Sequence, residues 1–217
     1  MKQPVIDQII AEKVVAIVRG YSIEQCIRLA RALHEGGVNM LEVTFPQTNK
    51  EEMLFTARTI EALRNELGDC MEFGAGTVTS PEMVDMAQSA GASFIISPNT
   101  DGKVIDRTLQ KGLVSIPGAF TPTEIKTAYD LGADIVKVFP ANMFGPSYFK
   151  TVHAPLSQVR LMAVGGVTEK DINAYLAAGA CSAGVAGCLF NAKKIENGLW
   201  QEITEAARNL RDVISKG

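Results

Sequence analysis

The sequence predicts an α/β chain folded as a (β/α)8 TIM barrel with a short N-terminal helix, all of it one domain over residues 1–217. Short apolar strands alternate with helical patterns along the whole chain, which implies parallel βαβ units. A junction of a small residue, glycine and a new strand recurs about every 20 to 30 residues: Gly36-Gly37-Val38, Ala90-Gly91-Ala92, Lys111-Gly112-Leu113, Leu131-Gly132-Ala133 and Ala178-Gly179-Ala180. The chain has 217 residues, enough for such a barrel near the short end of its size range.

Taken in order, residues 4–13 read as an amphipathic helix ahead of the strand Val14–Arg19. Gly20 breaks that strand, and Ser22 with Gln25 forms a capping box for a helix to Glu35. Asn39–Phe45 is the second strand, followed by a helix over about 51–67. Glu72–Thr77 is the third strand, and Ser80-Pro81 supplies a cap and a first-turn proline to the next helix. Ser93–Ser97 is a strand, about 102–110 a helix, and Leu113–Pro117 a strand. Thr121-Pro-Thr-Glu124 caps another helix, and Asp134–Pro140 is the sixth strand. A helix over about 146–154, the strand Val159–Val164, a helix opening at Thr168, the strand Ser182–Ala186 and a helix over 199–214 complete eight units.

Composition excludes several roles. Hydrophobic residues make up 47% and charged residues 21%, with a formal net charge of -3. No basic field points to nucleic acid, and no apolar run reaches a membrane span. Cys26, Cys70, Cys181 and Cys188 lack Cys-x-x-Cys spacing, and the N-terminus lacks signal-peptide features; free thiols in a reducing cytoplasm are the expectation. His34 and His153 lie away from strand ends and from each other, so no metal and no cofactor is expected.

The chemistry centres on Lys137. Alternation puts Ile135, Lys137 and Phe139 on one strand face and Val136 and Val138 on the other. An ammonium on an otherwise apolar strand is costly, and desolvation lowers its pKa toward a free amine, the state that attacks a carbonyl. On the second strand Met40, Glu42 and Thr44 share the face opposite Leu41, Val43 and Phe45, which places Glu42 inside the barrel with Lys137. A barrel's active site lies at the C-terminal ends of its strands, where Arg19, Thr44, Thr77, Ser97, Gly165, Gly166 and Gly187 also fall. Lysine and carboxylate together support Schiff-base chemistry, with Glu42 moving protons and Thr44 or Thr77 holding a carboxylate or a water. Gly165-Gly166 stands where barrel phosphate sites recur.

Six motifs in order, Glu42-Val-Thr44, Gly74-Ala-Gly-Thr-Val78, Ile96-Ser-Pro98, Pro117-Gly118, Lys137-Val-Phe-Pro-Ala141 and Gly165-Gly-Val167, resemble the 2-keto-3-deoxy-6-phosphogluconate (KDPG) aldolase family, which includes 4-hydroxy-2-oxoglutarate and 6-phosphogalactonate aldolases. The resemblance implies a metal-free class I lyase, commonly a homotrimer, that releases pyruvate and an aldehyde such as glyceraldehyde 3-phosphate or glyoxylate. By position it implies Lys137 as the Schiff-base lysine and Glu42 as the acid/base. Thr77 and Pro98 would line the pyruvate end, Phe139 would pack beside the lysine, and Gly165-Gly166 would receive phosphate. Two departures stand out: Pro46 occupies a place where many members carry arginine, leaving Arg19 as the carboxylate's cation, and Gly187 replaces a phosphate-binding serine. A 6-phosphogalactonate substrate, a phosphate-binding isomerase or epimerase, and a non-catalytic ligand-binding relative are the competing readings.

Overall fold

The computed structural model describes residues 2–217. The elements run in order: α1 (Gln3–Glu12), β1 (Val14–Val18), α2 (Ile23–Glu35), β2 (Met40–Thr44), α3 (Lys50–Leu67), β3 (Glu72–Gly76), α4 (Pro81–Ser89), β4 (Phe94–Ile96), α5 (Gly102–Gln110), β5 (Val114–Ile116), β6 (Gly118–Ala119), α6 (Pro122–Asp130), β7 (Val136–Val138), a 3-10 turn (Ala141–Met143), α7 (Gly145–His153), β8 (Leu161–Val164), α8 (Ile172–Ala177), β9 (Ala180–Val185), α9 (Ala192–Glu196) and α10 (Trp200–Ser215). The strand order is β5-β4-β3-β2-β1-β9-β8-β7-β6, and every ladder is parallel.

The two ends of that order belong to one barrel strand. Pro117 has no N–H to give, so the fifth strand splits into β5, paired with β4, and β6, paired with β7. Ile135 N donates to Ser115 O at 3.3 Å and Lys137 N to Pro117 O at 2.9 Å, which closes the ring. The structure is therefore an eight-stranded parallel barrel with alternating helices, as the periodicity predicts.

Alternation divides the apolar residues into two layers. Val15, Met40, Phe94, Ile96, Ile116, Ile135 and Met162 fill the barrel, and Ile6 and Ile9 of α1 join them from the N-terminal end. Leu41, Val43, Phe45, Val136 and Val138 face outward into the larger layer shared with the helices. The capping box expected at Ser22–Gln25 forms, and the cap expected at Thr121 is likewise a capping box, with Glu124. Such caps contribute about 1 kcal/mol each by satisfying orphan amides.

Three expectations are corrected. The helix expected to open at Thr168 begins at Ile172 instead. Asp171 Oδ1 accepts from Thr168 N at 2.7 Å and from Thr168 Oγ1 at 3.0 Å, and this local bonding holds the segment in a turn. The helix α9, capped by Asn191 whose Oδ1 accepts from Lys194 N at 3.0 Å, was not expected. Thr77 lies just past β3 with φ 55 rather than within the strand.

Candidate active site

Every candidate site residue singled out in the sequence except Ser97 lines one cavity of about 400 Å³ at the C-terminal ends of the strands; Ser97 gives its hydroxyl to Val78 O instead. Arg19, Glu42, Thr77 and Pro98 form one wall; Lys137, Phe139, Gly165, Gly166 and Gly187 form the other. Thr44, Thr168 and Cys188 also reach it. A neighbouring cavity of about 430 Å³ lies toward α2 and α3 and shares Arg19 and Thr44, but Lys137 is not among its lining residues.

Lys137 is 7% exposed and Glu42 only 2%, so both ionisable groups sit inside the barrel as the alternation predicts. Burial lowers the Lys137 pKa; Glu42 opposes that shift and the Arg19 guanidinium adds to it. Burial raises Glu42 to about 7, against the pull of Lys137 and Arg19. Glu42 Oε2 is buried without a hydrogen-bond partner, so no donor offsets the cost of ionising it. The result is an amine easier to deprotonate and a carboxyl able to give or take a proton near neutral pH. Lys137 Nζ lies 4.7 Å from the centroid of the Phe139 ring, whose face favours the cationic form.

The Glu42 carboxylate occupies space that only a glycine leaves free. A Cβ on Gly76 would overlap Glu42 Oε1, and one on Gly74 would overlap the Phe94 ring that fills the barrel below. Register pairs Glu42 with Gly74 and Thr44 with Gly76, so the carboxylate leans toward the mouth, into the layer of Thr44. Sequence reading named neither glycine for this purpose, although cross-strand pairing accounts for both.

Arg19 Nη2 donates to Thr77 Oγ1 at 2.9 Å, which joins the cation and the hydroxyl at one end of the cavity. Thr77 holds φ 55, a left-handed backbone that costs a β-branched residue on the order of 1–3 kcal/mol. Gln47 Nε2 donates to Thr77 O at 2.9 Å, a link that sequence reading did not find. At the other end Gly165 and Gly166 hold φ 102 and 75, open to glycine but strained for other residues. Asn142 N donates to Gly165 O at 3.0 Å and fixes that turn. Because α8 starts later than expected, this end of the cavity is built from these two glycines rather than from a helix N-terminus. Gly187 has open space where a side chain would stand. Burial pushes the Cys188 thiol up to about 11, so it stays protonated at neutral pH.

The histidines serve elsewhere: His34 Nδ1 bonds Asn39 Oδ1 at 2.7 Å, and the His153 ring lies against Gly179. Among the described residues, no helix is long and apolar enough to cross a membrane.

Comparison with known proteins agrees with this arrangement. The profile described as KDPG and KHG aldolase matches residues 5–206. The chain is 34% identical over 179 residues to the 2-dehydro-3-deoxy-6-phosphogalactonate aldolase of Escherichia coli (strain K12), covering 82% of this chain and 84% of that one. It is 32% identical over 203 residues to the 2-dehydro-3-deoxy-phosphogluconate aldolase of Treponema pallidum (strain Nichols), covering 93% of each. The solved KDPG aldolase of Legionella pneumophila, with pyruvate captured as a covalent carbinolamine, superposes with a TM-score of 0.80 at 27% identity, covering 90% of this chain and 92% of that one. A family match spanning nearly the whole sequence, on a barrel whose mouth holds a buried lysine and a buried carboxyl, leads to one assignment: this chain belongs to the KDPG and KHG aldolase family.

Proposed function

We propose that the protein is a class I aldolase that cleaves 2-keto-3-deoxy-6-phosphogluconate, and also 4-hydroxy-2-oxoglutarate, to pyruvate and glyceraldehyde 3-phosphate or glyoxylate. The observation that carries this reading is the desolvated Lys137 amine sharing one cavity with a carboxyl whose pKa is raised to about 7.

In this reading the unprotonated Lys137 Nζ attacks the C2 ketone to give a carbinolamine. Glu42 protonates the departing hydroxyl, water leaves and an iminium forms. The ionised Glu42 then takes the proton of the C4 hydroxyl. The C3–C4 bond breaks, its electron pair moves into the iminium as an enamine, and the aldehyde departs. Glu42 returns its proton to C3, and water hydrolyses the resulting iminium to pyruvate and free lysine. Arg19 and Thr77 hold the substrate carboxylate, Pro98 and Phe139 shape the pyruvate end, and the amides at Gly165, Gly166 and Gly187 face the phosphate. Glu42 relays the protons between substrate atoms and the Lys137 iminium takes the electron pair, so each step balances without a metal or cofactor.

A second reading changes only the sugar acid. The resemblance to the 6-phosphogalactonate aldolase, together with Ala163-Val-Gly-Gly166 and Phe144-Gly-Pro146, favours the C4 epimer, 2-keto-3-deoxy-6-phosphogalactonate. Both epimers yield the same products, and kcat/KM measured on each decides between them. We assign the enzyme to a reducing cytoplasm on its four free cysteines, and to an Entner–Doudoroff type of sugar-acid breakdown and a homotrimer on the family resemblance.

The deciding experiment incubates the protein with pyruvate and borohydride, then maps the peptides by mass spectrometry. A reduced pyruvyl adduct on Lys137 is the expected result. Pyruvate binding without an adduct would move the assignment to an isomerase or a binding role.

A further inference from the structure

We propose that Gln47 is a positioning residue: its side-chain amide holds Thr77 in the left-handed backbone that presents the Thr77 hydroxyl and the Arg19 guanidinium to the carboxylate of the bound 2-keto acid. The proposal rests on the reading above, in which this end of the cavity takes the pyruvate carboxylate.

Thr77 is where β3 ends and the cavity wall begins. Its φ of 55 is uncommon for any residue with a side chain and least comfortable for a β-branched one. Such a conformation persists only where its surroundings over-determine it. Four hydrogen bonds do so here. Gln47 Nε2 donates to Thr77 O at 2.9 Å, and Gln47 Oε1 accepts from Thr79 Oγ1 at 2.6 Å. The donor end and the acceptor end of one amide thus bridge the two residues on either side of Val78. Val78 N donates to Ile96 O at 3.2 Å, and Val78 O accepts from Ser97 Oγ at 2.7 Å, which fastens the same stretch to β4 and the residue after it. Gln47 is the partner of the Thr77 carbonyl, and it comes from the loop after β2, the strand that carries Glu42.

The hydroxyl is then delivered to the cation. With the backbone so turned, Thr77 Oγ1 accepts from Arg19 Nη2 at 2.9 Å, and both residues line the cavity with Glu42 and Lys137. Gln47 does not line it. Its influence on a ligand therefore passes through Thr77. A surface glutamine that merely stiffens the loop would affect melting and leave ligand affinity per folded molecule unchanged. A positioning glutamine weakens pyruvate binding and spares the bond-breaking step.

The test measures pyruvate dissociation constants, kcat and KM for wild type, Gln47→Leu, Thr77→Gly and the double variant. Gln47→Leu is expected to weaken pyruvate binding about five- to tenfold, the scale of one lost hydrogen bond, with kcat changed by less than about threefold. Glycine adopts positive φ without a clamp, so adding Gln47→Leu to Thr77→Gly is expected to cost nothing further. Unchanged pyruvate affinity in Gln47→Leu, or an equal loss in the Thr77→Gly background, overturns the proposal. If Gln47→Leu does not fold, Thr79→Val keeps Gln47 but frees the far end of its amide. A smaller loss of pyruvate affinity is then expected, and none overturns the proposal. Borohydride trapping of pyruvate on wild-type Lys137 separates the two levels. Trapping with an unaffected Gln47→Leu removes only the role of Gln47, whereas no trapping removes the aldolase reading and this role with it.

Discussion

Gly76 and Glu42 compete for one space: the carboxylate of Glu42 fills the volume that a side chain on Gly76 would take. The two lie on adjacent strands of the barrel, Gly76 standing two residues beyond Gly74, the cross-strand partner of Glu42. A glycine within a strand weakens a sheet in general, and Gly76 is the last residue of β3. Here its missing Cβ lets a carboxylate stand inside the barrel beside the layer of Thr44.

Gly76→Ala should therefore act on Glu42. The added methyl forces the carboxylate out of its place, and overpacking of this kind costs about 1–3 kcal/mol. Turnover should fall by about two orders of magnitude or more if Glu42 moves the protons. Kinetics together with thermal melting check this. A variant that melts earlier but turns over at the wild-type rate would show that the carboxylate's position does not matter.

Glu42→Gln removes the proton carrier while keeping the shape. The expected loss in kcat is about two to four orders of magnitude. A raised KM with unchanged kcat would assign Glu42 to binding instead.

The same variant reports the buried charge through pH. The folded-state pKa of Glu42 is raised from 4.5 to about 7, so the folded protein holds a proton that the unfolded chain has lost over that window. Wild-type stability from this group is undiminished below the unfolded value and falls as pH rises through the folded one. The deficit, complete above the folded pKa, is ~3 kcal/mol by linkage. Glutamine carries no such proton, so Glu42→Gln should gain stability relative to wild type as pH rises from 4.5 to 7. Urea melts at several pH values check this; parallel curves for the two proteins would contradict the buried, protonatable carboxyl.

Lys137→Met tests the nucleophile without emptying its space. It should abolish cleavage and the borohydride adduct while the protein still folds, because methionine fills the volume of the lysine stem. Cleavage close to the wild-type rate would remove Lys137 from the mechanism.

At the end of the cavity proposed to take phosphate, nothing stands within 4 Å of a Cβ built on Gly187, so Gly187→Ser should fold normally. Its hydroxyl adds one donor for phosphate. The expected gain is a KM about three- to tenfold lower for phosphorylated substrates, with none for 4-hydroxy-2-oxoglutarate. Equal effects on both substrate classes would show that the phosphate does not lie there.

The sequence by itself determined the barrel, its eight strand–helix units, and the inward direction of Glu42 and Lys137. Each of these follows from local rules: alternation along a strand, caps such as Ser22 and Thr121, and glycines at helix ends. Even the split of the fifth strand has a local cause, since Pro117 lacks the N–H that a continuous ladder needs. Tertiary structure alone decided the vacancy at Gly76, the left-handed turn at Thr77 and the grip of Gln47 on its carbonyl. The turn in which Asp171 Oδ1 accepts from Thr168 N is, by contrast, local bonding that a helix reading of this segment passes over. Glu42 and Gly76, like Gln47 and Thr77, lie about 30 residues apart in the chain and meet only when β2 and β3 pair. Alternation tells which way a side chain points, but what it meets there depends on the register between strands.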